Sequence, residues 1–338
     1  MTKNILVTGG AGYVGSHVLL SLLEQGYGAV SADNLSNASP ECYSRIKELT
    51  GKDVIAADAD VSDALEMADL MKEHNVWAVI HCAAHKSPPE SVGNPLKYYR
   101  NNLTSTVALC EAMREVGVSR MVFSSSATVY GTPNFLPITE NHPIGACANP
   151  YGTSKVMSEQ ILTDAVRAYP DWGVVLLRYF NPIGSHPSGK IGDSPNIPVN
   201  IMPYLLQVMT GRLPFLPITG NDYETPDGTG VRDYLHITDL ADGHVASLRY
   251  LENFSGIEAV NLGTGQGSSV MEIVREMEKV IGKPIPTEIR PRRPGDIAAI
   301  WADVSKSKRL LGWEAKKTLE EMCADSWKWA CENPAGYG

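Results

Sequence analysis

A tyrosine, a lysine and a serine are the residues whose types and spacing best suit proton transfer. Tyr151 and Lys155 stand four positions apart, so on a helix they lie one turn apart on the same face. Because an ammonium beside a phenol favours the phenolate, we expect Lys155 to lower the pKa of Tyr151 from its usual value of about 10. Ser126, after a predicted strand, can offer a hydroxyl to the same substrate oxygen. The three residues predict a proton-transfer site.

A glycine-rich turn near the start of the chain is typical of dinucleotide binding. The apolar run 4–7 predicts a buried strand, the glycines Gly9, Gly12 and Gly15 follow, and 17–23 predicts a helix. Glycines in this context permit a tight turn, close approach of backbone to a pyrophosphate, and close helix packing. The N–H groups of the helix N-terminus would bind the phosphate charge. A tight turn without a ligand is the alternative.

Asp33 is the residue that would select the cofactor. It ends a second predicted strand, at about the distance after the glycines where an acidic side chain binds the adenosine ribose. Its charge would repel a 2′-phosphate, and Asn34 rather than an arginine follows. We therefore expect NAD rather than NADP. A surface or capping role for Asp33 is the alternative.

Strands and helices alternate through the first half of the chain. Further strands are predicted at 54–57, 78–81, 121–124 and 174–177, with helices at 63–74, 95–116 and 151–168. This alternation predicts an α/β fold with a doubly wound parallel Rossmann sheet. The ligand is expected at the carboxyl ends of the strands.

The second half predicts a smaller, mixed α/β C-terminal substrate domain. Proline and glycine are dense between 182 and 226, which indicates a loop-rich region. A strand at 259–262 suits the first sheet, and helices are predicted at 239–251 and 269–281. We therefore expect an NAD-binding domain of 1–180, rejoined by about 233–265, and a substrate domain of 181–232 and 266–338.

Composition argues against several classes of partner. The formal net charge of −9 disfavours nucleic acid or an anionic membrane as the main partner. No apolar run reaches the ~20 residues of a membrane helix. Six scattered cysteines without a C-x-x-C pair predict free thiols in a reducing compartment. A strand follows Met1 almost at once, so we expect no signal peptide and a cytoplasmic protein. We also expect no metal site.

Several motifs together resemble the extended short-chain dehydrogenase/reductase family. They are the glycine turn, the run SSSATVYG at 124–131 and the Y-x-x-x-K pair at 151–155. Within that family, later segments resemble the UDP-glucose 4-epimerases: LRYFN at 177–181, GSHPSG at 184–189, NIMP at 200–203, GNDY at 220–223, DGTGVRDY at 227–234, DLADGH at 239–244, NLGTG at 261–265 and RRPGD at 292–296. The resemblance extends from Lys3 to Trp329.

This resemblance implies NAD-dependent 4-epimerisation of a UDP-hexose, UDP-glucose or UDP-galactose, through a transient 4-keto sugar. Tyr151 would take the proton of the sugar 4-hydroxyl while hydride leaves C4 for the nicotinamide. Lys155 would tune Tyr151 and hold the nicotinamide ribose, and Ser126 would hydrogen-bond the 4-oxygen. Hydride would return to the other face of the sugar. The resemblance also implies a homodimer formed through a helix pair of the first domain.

Matching motifs assign further residues to the two ligands. The implied cofactor contacts are Gly9, Gly12, Tyr13, Val14, Asp33, Asn34, Asn37, Asp60, Val61, Ala83, Lys86, Asn101, Ser124, Tyr151, Lys155 and Tyr179. The implied UDP-sugar contacts are Lys86, Ser126, Tyr151, Phe180, Asn181, Asn200, Arg232, Tyr234, Arg293, Asp296 and Ile300. Arg232 and Arg293 suit the two charges of a pyrophosphate.

Four positions depart from the family pattern. Thr219 replaces the usual aromatic residue beside the uracil, which weakens base stacking. Ile300 stands where side-chain size controls entry of the C2 substituent of the sugar. Since isoleucine is intermediate in size, a UDP-GlcNAc/GalNAc 4-epimerase or a dual-substrate enzyme is the alternative. His85 could add a polar contact or be an ordinary loop residue, and Arg100 has no assigned role.

Three other activities fit the sequence less well. A nucleotide-sugar 4,6-dehydratase of this family has an Asp-Glu pair where Ala127 and Thr128 stand here, and these two residues cannot supply the acid and base of elimination. An NADPH-dependent reductase is disfavoured by Asp33. A non-catalytic NAD-binding regulator would be expected to lose Tyr151 or Lys155, and both are present.

Overall fold

Seven strands, paired in parallel throughout, form the central sheet. The computed structural model describes residues 2–195, 198, 200–293 and 295–337, so Pro294 of the RRPGD motif lies outside the described residues. The strands of the sheet are β1 (Asn4–Thr8), β2 (Gly28–Asp33), β3 (Ile55–Asp58), β4 (Val76–His81), β5 (Arg120–Ser124), β6 (Gly173–Tyr179) and β11 (Gly256–Leu262). Their order is β11-β6-β5-β4-β1-β2-β3, which confirms the predicted doubly wound sheet.

Helices cover both faces of this sheet. The helices are α1 (Tyr13–Glu24), α2 (Glu41–Thr50), α3 (Ala64–Glu73), α4 (Pro88–Gly93), α5 (Pro95–Val116), α6 (Pro150–Ala168), α7 (Ile201–Met209), α8 (Ile237–Tyr250), α9 (Val270–Ile281), α10 (Ser305–Leu311) and α11 (Leu319–Glu332). The core under α1, α2 and α8 contains Ile5 and Val7 of β1, whereas the core under α3, α5 and α6 contains Leu6. Successive strand residues thus enter opposite cores, which explains the uninterrupted apolar run.

The order in which successive strands join the sheet reverses at the β1–β4 boundary. Strands β2 and β3 follow on one side of β1, and β4, β5 and β6 follow on the other. The loops after β1 and β4 therefore separate at the carboxyl edge and leave a crevice there. The glycine turn and the residues after His81 line this switch point.

The remaining strands form small sheets beside the central one. They are β7 (Asn181–Ile183), β8 (Leu216–Thr219), β9 (Val231–Arg232), β10 (Tyr234–His236), β12 (Ser268–Ser269), β13 (Thr287–Arg290) and β14 (Ala299–Ile300). β10 pairs with β7, β13 with β8, and both β12 and β14 with β9. A separate apolar core lies among α7, α9 and α11 and includes Leu205, Val274, Met277 and Met322. This core gives the second region its own packed interior.

The proline-rich segments contain more helix than the sequence predicts. Helix α7 occupies part of the region expected to be loop-rich, and α4 occupies the proline loop after His85. Pro203 lies in the first turn of α7 and Pro88 begins α4, positions where a missing N–H costs no helical hydrogen bond. Prolines there start helices rather than exclude them.

The strand predicted at 259–262 is confirmed as part of β11, which pairs with β6 at the edge of the central sheet. The exact division of the chain into two domains stays a prediction. None of the described helices combines the length and the apolar character needed to cross a bilayer.

Candidate active site

The predicted proton-transfer residues meet at the carboxyl end of β5. Tyr151 lies in the first turn of α6, where the Asn149 side chain caps the helix, and Lys155 follows one turn later. Both side chains are buried, as is Ser126, which follows β5. The Ser126 hydroxyl accepts a 3.0 Å hydrogen bond from the Thr128 hydroxyl at the start of a 3₁₀ turn. The Ser126 hydroxyl also interacts with the Tyr151 phenol, so the strand end and the helix bring these two side chains together.

The expected lowering of the Tyr151 pKa by Lys155 is wrong for this structure. Burial raises the pKa of Tyr151, and the neighbouring Ser126 hydroxyl opposes this shift by hydrogen bonding. Removing the phenol from water disfavours the charged phenolate, and that cost outweighs the nearby stabilisation. The site thus has a base that needs further positive charge before it ionises near neutral pH.

The Lys155 ammonium is anchored to the strand beside α6. Its Nζ donates a 2.7 Å hydrogen bond to the Ser124 carbonyl oxygen and lies 4.8 Å from the centre of the Phe123 ring. Burial lowers the pKa of Lys155 to about 8, while Cys82 and Glu159 act in the opposite direction. At neutral pH the buried Lys155 side chain is therefore mainly in its protonated, positively charged form.

The glycine turn has the shape that a dinucleotide pyrophosphate needs. Gly9 has a φ of 68°, and a Cβ there would lie 2.8 Å from the Ala83 nitrogen. Gly12 is the N-cap of α1, and among the described residues no side chain caps this terminus or places an acidic group in its first turn. The N–H groups of α1 are thus available to an anion. These features fit NAD.

Asp33 fixes the glycine turn and faces the same crevice. Its carboxylate accepts hydrogen bonds from the backbone N–H of Ala11 at 3.0 Å and of Leu35 at 2.9 Å. Burial raises the pKa of Asp33, and these two hydrogen bonds oppose the shift. A carboxylate has about four lone-pair sites, so Asp33 can still accept from a ribose hydroxyl, as expected from the sequence.

The other predicted cofactor residues lie around this edge of the sheet and differ in how far their side chains are exposed to solvent. Asn34, Asn37 and Asp60 are exposed in the loops after β2 and β3, whereas Val61 is buried. The remaining members, all partly buried except the exposed Lys86, are Tyr13, Val14, Ala83, Lys86, Asn101 and Tyr179.

Two aromatic residues mark the ends of this group. The Tyr13 hydroxyl donates to the Gly184 carbonyl oxygen at 2.6 Å, and the Lys86 ammonium lies 5.5 Å from the centre of the Tyr13 ring. Burial raises the pKa of Tyr179 well above its usual value, and the neighbouring Tyr151 adds to this shift. Tyr179 therefore stays uncharged and lies beside Tyr151 in the proton-transfer site.

Two of the predicted sugar contacts lie in an apolar cluster next to Ser126. Phe180 and Ile300 are 5% and 6% exposed and pack in one cluster with Ala127 and Tyr130. Asn181 on β7 is the register partner of Tyr234 on β10. Burial raises the pKa of Tyr234 to about 12, so its hydroxyl stays protonated at neutral pH.

The predicted pyrophosphate arginines have different surroundings. Arg232 forms an ion pair with Asp296, and its Nη1 donates to the Val231 carbonyl oxygen at 2.8 Å. Arg293 is exposed, as is Asn200 just before α7. The structure therefore brings Arg232 and Asp296 together, but leaves Arg293 and Asn200 at the surface.

Two buried polar residues near the site are not identified by the sequence motifs. Asn102 is buried, and its amide accepts from the His85 N–H at 2.9 Å and donates to the Ser154 hydroxyl at 2.9 Å. It thereby joins the Lys86 loop to α6. Glu159, two turns after Tyr151, accepts from Ser125 and binds Arg178. An amide or carboxylate on a buried helix face is the only sequence signal, and it does not identify a partner.

Comparison with known proteins shows the family of this chain. The family model described as GDP-mannose 4,6 dehydratase matches residues 6–326. A UDP-glucose 4-epimerase of Bacillus subtilis is 57% identical over 334 residues, which cover 98% of each chain. The chain belongs to the UDP-glucose 4-epimerase family. The family model also bears the name of a dehydratase, but Ala127 and Thr128 stand at the positions where that chemistry needs an acid and a base.

Solved epimerase structures share the whole fold. The UDP-glucose 4-epimerase of Bifidobacterium longum, in complex with NAD+ and UDP, superposes with a TM-score of 0.96 at 50% identity, covering 99% of this chain and 100% of that one. The enzyme of Stenotrophomonas maltophila, with bound NAD and formylated UDP-arabinopyranose, gives a TM-score of 0.95 at 46% identity, covering 98% and 100%.

Proposed function

We propose that this chain catalyses the NAD-dependent 4-epimerisation of a UDP-hexose, interconverting UDP-glucose and UDP-galactose through a transient 4-keto sugar. The observation that supports it most is the meeting of Tyr151 and Ser126 at the carboxyl edge of the sheet, beside the crevice that fits NAD. A phenol and a hydroxyl together can bind one sugar oxygen and move its proton. The family membership supports the same conclusion.

NAD would be held by the glycine turn and Asp33. The free N–H groups of α1 suit the pyrophosphate, and Gly9 and Gly12 allow it to approach the backbone. Asp33 suits the adenosine ribose and disfavours a 2′-phosphate. The remaining cofactor contacts are the ones assigned from the family motifs. When bound, NAD supplies the redox chemistry by accepting the C4 hydride and returning it.

Tyr151 would accept the proton of the sugar 4-hydroxyl, and Ser126 would hydrogen-bond the same oxygen. The positive charge of the oxidised nicotinamide would favour the phenolate and offset the burial that raises the pKa of Tyr151. Lys155 would hold the nicotinamide ribose. The proton returns to the oxygen when the hydride returns to the other face of C4. The outcome is then inversion at C4 with no net oxidation.

The UDP moiety would lie against the second region. Arg232 is available for the pyrophosphate once a ligand competes with Asp296, and Asp296 could then accept from a ribose hydroxyl. Phe180, Asn181, Asn200, Tyr234 and Arg293 are the further contacts assigned by motif. The nucleotide would hold the keto intermediate while its sugar turns over, so release before hydride return is avoided.

Ile300 would limit the space at the sugar C2 substituent. It is buried in one apolar cluster with Phe180, next to the Ser126 strand end. We propose that UDP-glucose and UDP-galactose are the preferred substrates, and that the larger N-acetyl sugars react more slowly.

The active form would be a cytoplasmic homodimer that associates through α5 and α6. Leu96 and Val107 lie three turns apart on one face of α5 and are 74% and 40% exposed, and Met157 on the adjoining α6 is 43% exposed. Apolar side chains grouped on a helix surface support a protein interface. Arg100 lies on the same face of α5, which would place it in that interface. All six cysteines are free, which supports a reducing compartment.

One assay tests this function. The purified chain is incubated separately with UDP-glucose, UDP-galactose, UDP-GlcNAc and UDP-GalNAc, and the products are followed by proton NMR. We expect UDP-glucose and UDP-galactose to interconvert without added reductant. A new methyl signal at C6, which a 4,6-dehydratase would produce, or the absence of any product would contradict the proposal.

A further inference from the structure

Ser124, the last residue of β5, and the two serines that follow it have separate side-chain partners. The Ser125 hydroxyl is fully buried and donates a 2.6 Å hydrogen bond to Oε1 of Glu159 on α6. Glu159 is 3% exposed and follows Lys155 by one turn and Tyr151 by two, on the same face of the helix. Ser125 therefore ties the end of β5 to the helix of the proposed base.

Arg178 on β6 completes this contact. Its Nε and Nη2 donate to the two Glu159 oxygens at 3.0 and 2.6 Å, a bidentate arrangement, and its side chain is 7% exposed. Arg178 Nη1 also donates to the Tyr130 hydroxyl at 3.2 Å. The carboxylate is thus held from the sheet on one side and holds Ser125 on the other. Its orientation is fixed by three short hydrogen bonds.

We propose that Glu159 is a positioning residue which, through Ser125, sets the placement of the Ser126 hydroxyl relative to Tyr151. The inference rests on the proposed function, since it assigns Glu159 a part in proton transfer at the sugar 4-oxygen. Ser126 directly follows Ser125 on the chain, and Tyr151 lies on the helix that bears Glu159. The Ser125–Glu159 hydrogen bond is therefore a short link between the two groups that must bind one oxygen.

Two physical arguments favour positioning over simple stabilisation. A buried ion pair has a large desolvation cost, and apolar residues of similar volume often stabilise such a site as well or better. A displacement of about 1 Å in a catalytic group, by contrast, can lower a rate by about 10²-fold. Three directional hydrogen bonds fix the orientation of the groups they join, whereas apolar contacts are non-directional.

The test removes this link and leaves the ion pair in place. In Ser125→Ala, Glu159 keeps both hydrogen bonds from Arg178, so no buried charge loses its partner. We expect kcat with UDP-galactose to fall about 10-fold, with KM within about twofold of the wild type. The NAD content measured after denaturation should be unchanged. Ser125→Cys keeps the volume with a weaker donor, and its kcat should lie between the two.

Ser158→Ala is the matched control. Ser158 is a buried serine of the same helix, and its hydroxyl accepts at 3.2 Å from Thr106 on α5, away from the serine run. Its kcat should equal that of the wild type after a similar loss of melting temperature. Wild-type kcat in Ser125→Ala, or an equal fall in Ser158→Ala, would overturn the positioning role. If Ser125→Ala does not fold, Ser125→Cys decides by the same comparison. An inactive wild-type enzyme would instead contradict the proposed function.

Discussion

The Lys155 ammonium is hydrogen-bonded to the Ser124 carbonyl oxygen at 2.7 Å, so the charged residue of the site is anchored to the strand end that leads into Ser126. The same helix supplies Tyr151, and burial raises the pKa of that phenol. Proton transfer near neutral pH then depends on the groups that stabilise the phenolate. Ser126 is the one that the structure identifies in direct interaction with it.

Removing the Ser126 hydroxyl should therefore shift the pH dependence of catalysis. Tyr151 must be deprotonated to act as the base, and Ser126 lowers its pKa. In Ser126→Ala that pKa rises, so the acidic limb of the kcat profile should move to higher pH, and kcat at pH 7 should fall by a factor on the order of 10². The measurement is kcat with UDP-galactose between about pH 5.5 and 9.

Ser158→Ala, which removes a buried hydroxyl from the same helix, should leave the acidic limb where it is. A Ser126→Ala profile with unchanged shape would mean that Ser126 does not tune Tyr151.

Much of this site is predictable because its signals are local in sequence. The strand–glycine–helix pattern and the Tyr151–Lys155 spacing are enough to place the crevice and the base. The direction of the Tyr151 pKa shift is not predictable in this way, because it depends on burial by residues distant in sequence. The same holds for Glu159, whose partner Arg178 lies on another element. Helix α7 escapes prediction because a proline such as Pro203 usually indicates a loop, although the first turn of a helix tolerates it.

Buried histidines should make the protein unstable in mild acid. Burial lowers the pKa of His17 and of His81 to about 3 and that of His244 to about 4. The unfolded chain binds protons on these residues near the ordinary histidine pKa of about 6.5, so the free energy of unfolding falls as pH decreases below that value. Each histidine contributes about 1.4 kcal/mol per pH unit over this window.

Denaturant melts at a series of pH values measure this slope. His244→Gln should reduce it by about one proton. A slope that His244→Gln leaves unchanged would show that this imidazole is protonated in the folded protein.

Asp33 should determine which dinucleotide copurifies. We expect HPLC of the denatured wild-type protein to show NAD, because the buried carboxylate at the end of β2 repels a 2′-phosphate. Asp33→Asn should bind less NAD and raise the NADP-to-NAD ratio by about 10-fold or more. The control Asp69→Asn, an exposed position on α3, should match the wild type. NADP in the wild-type protein would overturn the cofactor assignment.

Ile300 should set the ratio of rates for N-acetylated and plain sugars. We expect the wild type to epimerise UDP-GlcNAc more slowly than UDP-glucose. Ile300→Ala should raise that ratio by about 10-fold, because the smaller side chain leaves space for the N-acetyl group in the cluster that contains Phe180. Ile138→Ala opens a similar cavity in the same cluster and serves as the control. An equal change in both variants, or equal wild-type rates, would assign the size limit to another residue.

The most direct test of the account follows the hydrogen at C4. UDP-galactose is incubated in D₂O with the wild-type chain and with Tyr151→Phe, and the C4 proton of the product is observed by NMR. We predict UDP-glucose that retains protium at C4, since the hydride is held by the cofactor between the two steps. The rate in Tyr151→Phe should be lower by a factor on the order of 10³, with unchanged fold. Deuterium at C4, or near-normal turnover without the Tyr151 hydroxyl, would contradict it.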